Sequence, residues 1–130
     1  MDFLAALGKK ILVLDGSMGA LLQKRGLPPG MAPDVWMMES PEVIERAHRD
    51  YVEAGADIIL TNTFGASKWR LAEYQAYSRI REINAKAVSI ARKAAGDRAF
   101  IAGDIGPSGE TVFPTGKKSF EEVCDIFYEQ

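Results

Sequence analysis

A short apolar run that stops at small polar or acidic residues and glycine recurs three times in this 130-residue chain, each time leading towards a helix-like stretch. The first is Ile11-Leu12-Val13-Leu14, running into Asp15-Gly16-Ser17-Met18-Gly19. The second is Asp57-Ile58-Ile59-Leu60, running into Thr61-Asn62-Thr63-Phe64-Gly65. The third is Ala99-Phe100-Ile101-Ala102, followed by Gly103-Asp104-Ile105-Gly106-Pro107-Ser108-Gly109. Such runs are too short to cross a membrane and too uniformly apolar for a strand with one wet face. They predict strands buried on both sides, as in a parallel sheet under helices. Right-handed crossovers then bring all three polar ends to one edge of the sheet, the edge where α/β folds bind ligands.

The intervening segments read as helices. Residues 2 to 7 form a short helix or arm, and Ala20, Leu21 and Leu22 continue from Gly19 as a helix ending at Arg25-Gly26. Ser40-Pro41-Glu42 is a helix start, with a capping hydroxyl, proline at the first helical position and an acid at the positive end of the dipole. Ile44, Ala47, His48 and Tyr51 form its inner stripe, so His48 reads as a packed residue with a satisfied ring rather than a ligand. Ser67 is placed to cap a short helix. A longer one carries Ile80, Ile83, Ala87, Val88, Ala91 and Ala94 inward, and Arg79, Arg81, Lys86 and Arg92 mostly outward. Ser119 caps a last helix, Phe120 to Gln130, where Cys124 is either a small buried hydrophobe or a surface thiol. The proline- and methionine-rich segment from Leu27 to Glu39 reads as a loop. It either covers something or packs on a neighbouring helix, and methionine's readiness to fill gaps favours packing.

Asp15 by itself has two readings, a helix cap or a group facing a ligand. The three ends together favour a ligand. Asp15, Asp104, the Thr61-Asn62-Thr63 triplet, Ser17 and the backbone at Gly16 combine acids, hydroxyls and an amide. That set suits a small zwitterion: carboxylates for an ammonium group, N–H and hydroxyl groups for a carboxylate. Phosphate fits less well, since neither G-x-G-x-x-G nor G-x-x-x-x-G-K-[ST] occurs and two acids would repel it. A small complete α/β domain binding a nucleotide or phosphate is nonetheless an alternative.

Bulk properties narrow the class. A net charge of −2 gives no electrostatic case for nucleic acid or an anionic membrane. The first residues carry an acid where a secretion signal is basic, and one cysteine suits a reducing compartment, so the expected location is the cytoplasm. One cysteine and one histidine cannot close a tetrahedral zinc site.

Leu14-Asp15-Gly16-Ser17-Met18-Gly19, Ala54-Gly55-Ala56-Asp57-Ile58-Ile59, Thr61 to Ser67, Glu82-Ile83-Asn84 and Gly103 to Gly109 together resemble the N-terminal part of the homocysteine S-methyltransferase family. Within that family the likeness is to the homocysteine-binding domains of the cobalamin-dependent enzymes. The resemblance implies a (β/α)8 barrel with the substrate at its C-terminal face. It implies an acid at Asp15 for the substrate amino group. Gly16, Ser17 and Thr61, Asn62 and Thr63 would meet the carboxylate, with Asp104 on the same wall. It also implies zinc held by cysteines of later strands, and methylcobalamin and methyltetrahydrofolate as methyl donors on further domains of a longer protein. Three strand–helix units are counted here against eight, and Cys124 lies on a helix. Residues 1–130 are therefore expected to be the N-terminal portion of a barrel, ending before the zinc strands and inactive alone. Open strand edges would then favour self-association or a complementing chain.

Overall fold

The structure is a computed structural model and describes residues 2–130. Its elements, in chain order, are α1 (Phe3–Leu7), α2 (Met18–Lys24), α3 (Pro33–Trp36), α4 (Pro41–Glu53), β1 (Ile58–Leu60), α5 (Lys68–Ala72), a 3-10 turn (Tyr77–Arg79), α6 (Ile80–Ala95), β2 (Phe100–Ala102) and α7 (Phe120–Glu129). β1 and β2 pair in parallel, with Ile58 opposite Phe100, Ile59 opposite Ile101 and Leu60 opposite Ala102. On the other side of β1, Leu14 makes a single parallel bridge to Ile58. The three apolar runs therefore lie side by side, all pointing the same way.

The amphipathic stripes explain the layer behind the sheet. On α4, Ile44, Ala47, His48 and Val52 are buried; on α6, Ile80, Ile83, Ala87, Ile90, Ala91, Ala94 and Ala95 are. Spacings of three and four keep each set on one face. The two helices pack on one another, and the alanines of α6 let it approach the sheet, where Ala91 and Ala95 join Val52, Ala56, Ile59 and Ala99. A second cluster lies between α4, α6 and the segment before α4, with Leu22, Trp36, Met37, Ile44 and Ile83 inside it. Ser119 closes a full capping box at the start of α7, and Ser17 caps α2 by accepting from Ala20 N–H.

Four expectations need correction. The first run is not buried on both sides: Ile11 is 89% exposed, and Val13 and Leu14 are also exposed, because among the described residues only β1 pairs beside it and the bridge is confined to Leu14. Ser40 and Ser67 begin α4 and α5 without a side-chain cap bond; the Ser67 hydroxyl is instead buried without a partner among the described residues. The Leu27–Glu39 segment contains α3, opened by Pro33, and packs Trp36 and Met37 into the core. His48 is buried as expected, yet neither ring nitrogen has a partner among the described residues. Desolvation lowers its pKa to about 4, so the ring is neutral.

Candidate functional site

Asp15 is tied to the second strand rather than to the helix that follows it. Its N–H donates to Ile58 O at 2.9 Å, and its Oδ2 accepts from Leu60 N–H at 3.1 Å. Since Ser17 caps α2, Asp15 is not the cap. Its Oδ1 is buried and accepts nothing from the described residues. Burial raises the Asp15 carboxyl above its ordinary pKa; the Leu60 hydrogen bond opposes that rise and the nearby Asp104 charge adds to it.

The second strand end is a junction. The Thr61 hydroxyl meets the Thr63 hydroxyl at 2.7 Å, and Thr63 Oγ1 donates to Asp104 O at 2.7 Å. Asp104 N–H in turn donates to Thr61 Oγ1 at 3.1 Å. Asn62 Nδ2 donates to Pro33 O at 3.0 Å. The triplet's side chains thus hold the neighbouring loops in place, and their hydrogen-bonding capacity is largely taken up inside the protein.

A cavity of about 380 Å³ opens where these ends meet. Of the seven residues singled out from the sequence, Asp15, Gly16, Ser17, Thr61, Asn62 and Asp104 line it, whereas Thr63 faces a separate groove with Asn84 and Gln130. The Asp104 carboxyl is raised by burial.

Asp34 also lines this cavity, and the sequence reading passed over it. It is 4% exposed and accepts from Gly65 N–H at 3.1 Å through Oδ1. Desolvation is the chief cause of its pKa rising to about 6; its own N–H, Gly65 and Arg70 pull the other way, and Asp104 pushes further up. A signal was present: Asp34 is the sole charged residue between Arg25 and Glu39, amid apolar side chains. Arg70 and Tyr74, after the second strand, complete that wall, with Arg70 paired to Glu73 at 2.8 Å.

Chemically, the cavity presents carboxylates from two strand-end loops and from α3, and one arginine already engaged by a glutamate. A buried carboxylate oxygen without a donor calls for a cationic or N–H-bearing ligand. Among the described residues no group of three His, Cys, Asp or Glu is arranged to hold a metal ion, and Cys124 is an exposed free thiol on α7.

Known proteins share this chain's sequence pattern and fold. The profile of the homocysteine S-methyltransferase family matches residues 12–130. The chain is 34% identical to methionine synthase of Mycobacterium tuberculosis and 33% identical to that of Mycobacterium leprae, in each case over 98% of its own length. It spans only 12% of the length of either. Crystal structures of the homocysteine methyltransferase MmuM from Escherichia coli superpose on 81% of this chain with a TM-score of 0.66, at 28% identity for the metallated form and 31% for the oxidized form. This chain covers 41% and 40% of those structures. A family match over nearly every residue, on a parallel α/β framework with its polar strand ends gathered round one cavity, identifies the chain as a member of the homocysteine S-methyltransferase family.

Proposed function

We propose that this chain forms the amino-acid-binding wall of a homocysteine S-methyltransferase site, built from the first three strand–helix units of a (β/α)8 barrel. Asp15 Oδ1 carries the reading: a buried acceptor with no donor, at the mouth of a strand, in a cavity of about 380 Å³. The substrate ammonium group supplies the missing donor. Backbone N–H groups near Gly16 and Ser17 receive the carboxylate, while Thr61, Asn62 and Thr63 fix the shape of the wall and Asp104 adds negative potential. The described residues do not fit a zinc site; on this reading the zinc ligands, and the domains for methylcobalamin and methyltetrahydrofolate, belong to a longer protein. Methyl transfer to the homocysteine thiolate belongs to that whole enzyme, and this chain alone is proposed to bind without turning over.

Isothermal titration calorimetry with L-homocysteine and with 4-mercaptobutanoic acid, which lacks the amino group, tests this. L-homocysteine binds the unaltered chain more tightly, and Asp15→Asn weakens it by about tenfold or more, since a charge-assisted hydrogen bond contributes ~1.5–3 kcal/mol. Equal binding of the two ligands, or an unaffected Asp15→Asn, refutes it.

A second reading concerns assembly. Ile11, Val13 and Leu14 expose an apolar edge beside β1 with one bridged residue, which favours a complementing chain or a second copy. Size-exclusion chromatography with light scattering gives a dimer or larger species on this reading, and a well-folded monomer at all concentrations counts against it.

A further inference from the structure

We propose that Asp34 is a positioning residue, fixing the Asp104 loop of the cavity through the Phe64–Gly65 peptide group. That one peptide is gripped from both sides. Its N–H donates to Asp34 Oδ1 at 3.1 Å, and its carbonyl, Phe64 O, accepts from Gly106 N–H at 3.1 Å. The first grip comes from the segment before α4, the second from the loop that carries Asp104. The Gly106 contact requires glycine, since a Cβ there would lie 2.3 Å from Phe64 O; a Cβ at Gly65 would lie 2.9 Å from Asp34 Oδ2 and displace that carboxyl.

The charge on Asp34 matters to this linkage. An ionised acceptor strengthens the hydrogen bond from Gly65 N–H, and polarising that amide makes its carbonyl a better acceptor for Gly106. Asn62 reinforces the first grip through Pro33 O, and Thr61 and Thr63 reinforce the second through the Asp104 backbone. Asp34 Oδ2 has no hydrogen-bond partner among the described residues and borders the cavity, so protons reach the carboxyl from there. The charged groups facing it are Asp104 across the cavity and Arg70 from α5. With burial holding its pKa near 6, Asp34 loses its charge in mild acid, and the linkage slackens with it.

The consequence for ligand affinity rests on the proposed homocysteine site; the linkage itself does not. Two measurements on the whole chain keep them apart. In 15N-labelled protein, the amide signals of Gly65 and Gly106 both show a step centred near pH 6, and Asp34→Asn removes that step from both while leaving any Asp104 titration in place. A Gly106 signal that keeps its step in Asp34→Asn, or a Gly65 signal without one, overturns the proposal. Calorimetry with L-homocysteine forms the second measurement. Asp34→Asn binds three- to tenfold more weakly than the unaltered chain at pH 7.5, and the two converge at pH 5, where Asp34 is mostly protonated. Asp34→Ala, lacking any acceptor for Gly65, is weaker still, so asparagine gives partial rescue. Affinities identical at every pH overturn the effect on the site. No binding of L-homocysteine by the unaltered chain overturns the site reading and leaves the amide titration to decide the linkage.

Discussion

Replacing Asp34 by asparagine stabilises the fold, by an amount that depends on pH. The buried carboxyl has a pKa near 6 in the folded chain against an ordinary 3.8. Asparagine keeps the shape and an oxygen for Gly65 N–H but carries no charge to desolvate. The folded state therefore holds its proton more tightly than the unfolded state, and the cost of the charge is complete above pH 6 and absent below 3.8. At ~1.4 kcal/mol for each tenfold change, this range corresponds to about 3 kcal/mol at pH 7.5 and about 1.5 kcal/mol at pH 5. Urea denaturation followed by circular dichroism reads the difference: Asp34→Asn raises the midpoint by ~1–2 M at pH 7.5, for an m value of ~1.5–2 kcal/mol/M. The gain halves at pH 5 and vanishes near pH 3.8. A variant less stable than the parent at pH 7.5, with a gap that does not change with pH, refutes the reasoning. It would mean that the carboxylate is compensated in the fold and not strained. Together with the weaker homocysteine binding expected of the same variant, a gain in stability would mark Asp34 as a residue kept for function at a cost in stability.

Other consequences follow from individual contacts. His48 acts in the opposite sense to Asp34: neutral when folded, with a pKa near 4 against 6.5, it is protonated first in the unfolded chain. It therefore contributes a loss of about 2 kcal/mol between pH 7.5 and pH 5, and His48→Leu removes that loss in the same denaturation assay. Gly106→Ala forces a Cβ against Phe64 O and breaks the Gly106 hydrogen bond, lowering stability by ~1–3 kcal/mol and displacing the Gly65 amide signal. Ile11→Lys, at an exposed edge position, leaves monomer stability within ~0.5 kcal/mol but shifts any oligomer towards monomer in light scattering.

Local pattern carried much of the architecture. The 3.6-residue spacing of Ile44, Ala47 and His48, and of Ile80, Ile83, Ala87, Ala91 and Ala94, is enough to place α4 and α6 and their inner faces. Ser119 acts on a donor three residues away, so its cap was readable locally, yet the same local signal at Ser40 and Ser67 leads to no side-chain cap bond. Recurrence of an apolar run followed by polar residues and glycine likewise indicated that residues 15, 61 and 104 would meet, and they do. Tertiary structure alone decided how those polar groups are used. Asp15 finds Leu60 across 45 residues, Asp34 finds Gly65 across 31 and Thr63 finds Asp104 across 41, separations at which no periodicity selects a partner. For the same reason the threonine hydroxyls looked free, Asp34 was not singled out, and Ile11 to Leu14 looked buried. Apolar character favours burial, but only the neighbours brought alongside by the fold can provide it: β1 and Asp57 engage the Val13 backbone on one side, and the Ile11 and Val13 side chains stay exposed.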